Sequence, residues 1–79
     1  MTNQILFFGA TAAVTGEREI SIESETPVTA GELVNRVLSI YPALHGHKLH
    51  FSINERYATG TESITDGDEL AIFTAVSGG

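Results

Sequence analysis

The chain has 79 residues, 42% of them hydrophobic and 18% charged, which fits one small globular domain with a thin core and excludes a disordered chain. Ten acidic residues against four basic ones give a net charge of −6, which repels nucleic-acid phosphates and suits a basic surface on a protein partner. The absence of cysteine removes disulfides, thiolate nucleophiles and zinc–thiolate sites together.

No apolar run approaches the roughly 20 residues of a membrane span. The stretch from Ile5 to Val14 has no Lys or Arg before it and is interrupted by polar and glycine positions, unlike a signal peptide, so a soluble cytoplasmic protein is expected. Ile5-Leu6-Phe7-Phe8, ending at Gly9, reads as a central strand covered on both faces. Residues 10–16 read as a small-residue connection, and Arg18 to Glu23 alternates polar and apolar like a half-buried strand. Together these segments predict a hairpin with a long loop.

Near residue 28 the period changes. Thr29 and Glu32 fit a capping box, and Val28 and Leu33 occupy the positions of a hydrophobic staple. Leu33, Val37, Ile40 and Leu44 then form an apolar stripe, flanked by Val34 and Tyr41, that can lie on a sheet. Tyr41-Pro42 stops regular helix, because proline disfavours helical geometry in the residue before it. Leu49, Phe51 and Ile53 alternate with His50 and Ser52 as a third strand, and a short edge strand is expected near Arg56 to Ala58. Thr65-Asp66-Gly67-Asp68 is a turn signal, followed by a final strand from Glu69 to Phe73. The order ββαβ(β)β predicts an α+β fold, a mixed sheet of four to five strands with one main helix packed on one face.

Several clusters invite a chemical reading. His45, His47 and His50 lie close in sequence but lack helical i, i+4 ligand spacing and any cysteine partner, so no metal is expected. Asp66, Asp68 and Glu69 lack the twelve-residue calcium-loop pattern and read as a turn. No phosphate loop or Ser-His-Asp arrangement stands out, and the chain reads as non-catalytic. One helix covers only one face of a sheet, so Leu6, Phe8 and Phe73 are left as an apolar patch for a protein partner. The sequence closes with Val76-Ser77-Gly78-Gly79. Two residues without Cβ let a peptide thread a narrow channel toward a reactive centre, although a frayed end is the plain alternative.

With Leu6-Phe7-Phe8 at its start, Thr65-Asp66-Gly67-Asp68-Glu69-Leu70-Ala71 near its end and Val76-Ser77-Gly78-Gly79 closing it, the chain resembles the MoaD/ThiS family of ubiquitin-like sulfur carriers. The resemblance extends over essentially the whole chain and implies a ubiquitin-like β-grasp. It also implies a single sulfur-carrier domain, residues 1–79, with a flexible C-terminal tail at 74–79. Thr74 and Ala75 depart from the family pattern, standing where members of the molybdopterin branch commonly carry prolines.

The family's chemistry would place adenylation and then a terminal thiocarboxylate on Gly79, preceded by Gly78. Leu6, Phe8, Phe73, Val76 and Ser77 would form the partner-binding set. No cofactor would be bound permanently, ATP being used by an E1-like activating enzyme. The implied partner is the large subunit of molybdopterin synthase, in a heterotetramer of two small and two large subunits, with neither nucleic acid nor membrane involved. Sulfur delivery to thiamine or cysteine synthesis, conjugation of Gly79 to lysines as a protein modifier, and a plain interaction domain remain as alternatives.

Overall fold

The computed structural model describes residues 1–25 and 27–74. Its main sheet has five strands in the order β2-β1-β7-β4-β5, where β1 is Thr2–Phe7, β2 Glu19–Glu23, β4 Leu49–Ile53, β5 Arg56–Tyr57 and β7 Glu69–Thr74. The central pair, β1 and β7, is parallel, with Ile5 beside Leu70 and Phe7 beside Ile72. The other pairs are antiparallel: β2 on β1, and β4 on β7 with Phe51 opposite Ile72 and Ile53 opposite Leu70. Cross-strand neighbours share a face, so Ile5, Phe7, Leu70 and Ile72 form one layer, and all four are buried.

Helix α2, Ala30–Ile40, covers that layer with Ala30, Leu33, Val34 and Val37. Burying one such aliphatic side chain contributes about 1.5–3 kcal/mol. The helix starts where the sequence predicts: the Thr29 side chain accepts the Glu32 amide at 3.2 Å, and Glu32 Oε1 accepts the Thr29 amide at 3.2 Å. Both halves of the capping box are therefore present. A parallel central pair, antiparallel flanks and one crossing helix make up the β-grasp expected from the sequence.

Four local expectations are corrected. Residues 10–16 contain a helix, α1 at Ala10–Thr15, rather than a plain loop. Alanine is the strongest helix former, but a run of small residues carries no apolar period to reveal it. The helix ends at Gly16, whose φ of 75° suits glycine.

Ile40 does not join the buried stripe; it is exposed, and Leu44 reaches the core from a 3₁₀ turn, Pro42–Gly46. Pro42 ends the 100° period, so positions beyond Tyr41 cannot be extrapolated along the helix face. Val28–Thr29 (β3) pairs antiparallel with Ser63–Ile64 (β6), a two-residue ladder missed in the sequence. Thr74, expected at the start of the tail, is the last residue of β7 and lies opposite Leu49.

The Asp-Gly-Asp turn is built as the sequence suggests. Asp68 Oδ2 accepts the Thr65 amide at 2.8 Å and its hydroxyl at 2.9 Å, and Oδ1 accepts Asn54 Nδ2 at 2.9 Å. The Thr65 amide, followed by the Asn54 side chain, holds the Asp68 carboxyl below the usual aspartate range. From beneath, fully buried Asn3 donates Nδ2 to the carbonyls of Thr65 at 2.8 Å and Asp68 at 3.0 Å. The acidic residues here anchor a turn to β1 and β4.

Candidate functional site: the uncovered face of the sheet

Alternation along the strands sends Leu6, Ala71, Phe73, His50, Ser52 and Tyr57 to the face opposite α2. Their positions follow from the register: Leu6 beside Ala71, His50 opposite Phe73, and Tyr57 opposite Ser52. Phe73 is the centre of this face. The His50 ring stacks on it at 6.1 Å with planes 25° apart, and the Tyr57 ring lies 5.9 Å away, tilted by 58°. Both separations fall in the favourable range for aromatic pairs. Phe8 and Tyr57 remain 54% and 81% exposed, which makes this face the candidate contact surface.

Phe8 is held by the turn that starts α1. Gly9 has φ 56° and ψ −121°, the conformation of the first central residue of a type II′ turn, where glycine avoids the Cβ clash. The turn closes with the Thr11 amide donating to the Phe8 carbonyl at 3.2 Å. Thr11 adds a second tie: its buried hydroxyl accepts the Phe8 amide at 3.0 Å and donates to the Ile72 carbonyl at 2.7 Å. One side chain thus joins the ends of β1 and β7 beneath Phe8 and Phe73. A shallow open depression lined by Phe8, Gly9, Ala10, Phe73 and Thr74 lies at this end of the sheet, where the chain leaves β7.

Leu6, Phe8 and Phe73, the patch expected from alternation, do share the uncovered face. Val76, Ser77, Gly78 and Gly79 lie outside the described residues. Sequence reasoning missed His50 and Tyr57 as patch members, because only sheet pairing brings them to Phe73. It also missed Thr11, whose contact with Ile72 spans 61 positions. His45 and His47 lie at the 3₁₀ turn, away from the stacked His50. Among the described residues no group of three or more His, Asp or Glu side chains could hold a metal ion, and no helix is long and apolar enough to cross a membrane.

A β-grasp sheet with one face under a helix and the other carrying exposed aromatics defines a ubiquitin-like domain. The chain belongs to the ThiS family, whose profile matches residues 5–79. It is 31% identical over 80 residues to a molybdopterin synthase sulfur carrier subunit of Mycobacterium tuberculosis, covering 95% of this chain and 94% of that protein. Among solved structures, SAMP1 of Haloferax volcanii superposes with a TM-score of 0.87 at 26% identity, covering 100% of both chains. Subunits 1 and 2 of molybdopterin-converting factor from Helicobacter pylori are seen as a protein–protein complex. A chain of that structure matches with a TM-score of 0.70 at 19% identity, again over 100% of both chains.

Proposed function

We propose that the protein is a sulfur carrier, serving as the small subunit of a molybdopterin synthase. The observation that carries this reading is the family match over residues 5–79, together with a molybdopterin synthase sulfur carrier subunit of nearly equal extent. The exposed patch beside the end of β7 supports it, because a carrier must be gripped close to the group it delivers.

The chemistry assigned to Gly79 follows from the weakness of a carboxylate as an electrophile. Its oxygen attacks the α-phosphorus of ATP on an activating enzyme, releasing pyrophosphate and forming an acyl adenylate. Hydrosulfide then attacks the acyl carbon, the C–O bond to phosphate breaks to expel AMP, and loss of the S–H proton leaves a terminal thiocarboxylate. That soft nucleophile is passed to the pyranopterin precursor in the large subunit. Docking through Leu6, Phe8 and Phe73, with Val76 and Ser77 of the tail also binding the partner, makes delivery local rather than bimolecular. The assembly in this reading contains two small and two large subunits.

The decisive measurement is intact mass after incubation with an activating enzyme, ATP and sulfide. Replacement of one oxygen by sulfur is expected in the full chain and absent after deletion of Gly79, with the fold and docking retained. An unchanged mass with competent activating enzymes would overturn the proposal. A second reading, conjugation of Gly79 to lysines of other proteins, is favoured by the similarity to SAMP1, a small archaeal modifier protein. It predicts high-mass adducts in denaturing gels of lysate that disappear when Gly79 is deleted.

A further inference from the structure

The edge of the sheet formed by β2 is a second surface, independent of the aromatic face. β2 ends the sheet order, and its one partner among the described residues is β1. The Phe7 amide bonds the Arg18 carbonyl at 2.9 Å and the Ser24 amide bonds the Met1 carbonyl at 2.8 Å. Hydrogen-bonded pairs alternate along an antiparallel ladder, so Arg18, Ile20, Ile22 and Ser24 face β1. Glu19, Ser21 and Glu23 therefore turn their N–H and C=O groups outward. All three residues are exposed.

The side chains along this edge select what can pair with it. Glu17, Glu19, Glu23 and Glu25 are exposed here and Arg18 is the cation among them, while Arg36 is engaged with Ser24 Oγ at 2.7 Å. Glu19, Ser21 and Glu23 point to the uncovered face; Ile20 and Ile22 pack into or against the core. A second copy fits poorly. Antiparallel pairing of two β2 edges about Ser21 sets each Glu19 against the other chain's Glu23, and like charges directly opposite are destabilising.

The geometry points to an extended basic peptide as the occupant of this edge, added as a sixth strand. Its cationic residues face Glu19 and Glu23, and its apolar residues continue the layer of Ile20 and Ile22. The backbone supplies affinity and the alternating side chains supply specificity, as in other β-strand additions. The other edge, β5, offers only Arg56–Tyr57 and is too short for comparable pairing. This surface requires neither sulfur nor an activated C-terminus.

The test is an NMR titration of the full chain with a preorganised hairpin peptide whose outer strand reads Lys-Val-Thr-Val-Lys, compared with Glu-Val-Thr-Val-Glu. Saturable shifts and slowed amide exchange at Glu19, Ser21 and Glu23 are expected. Binding should be at least about tenfold tighter for the lysine peptide, since two cross-strand pairs change from repulsive to attractive. The double variant E19K/E23K should reverse the preference. Ser21→Pro, which removes an outward N–H without breaking the β1–β2 ladder, should weaken both peptides. Absence of saturable binding, equal affinity for the two peptides, or shifts centred on Phe8 and Phe73 would each overturn the proposal.

Discussion

The two faces of the central strands β1 and β7 share a backbone but have opposite fates. On the inner face Ile5, Phe7, Leu70 and Ile72 are at most 2% exposed, whereas on the outer face Phe8 is more than half exposed and Phe73 is half-buried beside the His50 and Tyr57 rings. Residues one position apart, Ile72 and Phe73, therefore do different work. The inner residue is packed in the core, and the outer one is the docking residue of the proposed function.

The comparison is broken most severely from the inside. Ile72→Ala leaves a cavity under α2 and is expected to cost about 2–5 kcal/mol in urea denaturation, enough to unfold much of a small domain. Phe73→Asp, one residue along, should cost less stability than Ile72→Ala while eliminating partner docking in a pull-down. Comparable destabilisation of the two would mean that the faces are not distinct.

The inner face also carries a polar exception. Asn3→Ala removes the donor shared by the Thr65 and Asp68 carbonyls and should cost about 1–3 kcal/mol, visible as a lower denaturation midpoint with unchanged docking.

The smallest effect is expected at the turn that Asn3 supports. The carboxyl of Asp68 is held below the usual aspartate range by the Thr65 amide, so its contribution is present above the unfolded-state value of about 4 and fades as pH falls through the lower folded-state value. Asp68→Asn should flatten the loss of stability between neutral and strongly acidic pH. A stability curve of unchanged slope would assign no such linkage to this carboxyl.

Much of this architecture was legible because it is local. The capping box joins residues three apart, the Thr65–Asp68 turn is closed within four residues, and alternation in Ile5 to Phe8 and Leu70 to Phe73 separates the two faces without knowledge of the partner strands. The patch of Leu6, Phe8 and Phe73 follows from the same alternation. Helix α1 was hidden because its alanines have no apolar period, and Leu44 was placed on the helix although Pro42 ends the helical phase before it; Ile40, the last residue of α2, is exposed although the helical period puts it on the buried stripe.

The sequence by itself determined which side of β2 and β4 is apolar, where α2 begins and which segment turns, since these depend on neighbours a few positions away. Only the tertiary structure decided that β1 lies parallel to β7, that His50 and Tyr57 flank Phe73, and that Thr11 ties the Ile72 carbonyl to the turn after β1. Those contacts join segments up to 61 positions apart. They are set by which strand pairings bury the most apolar surface with every ladder bond satisfied, a condition on the whole chain that no local window contains.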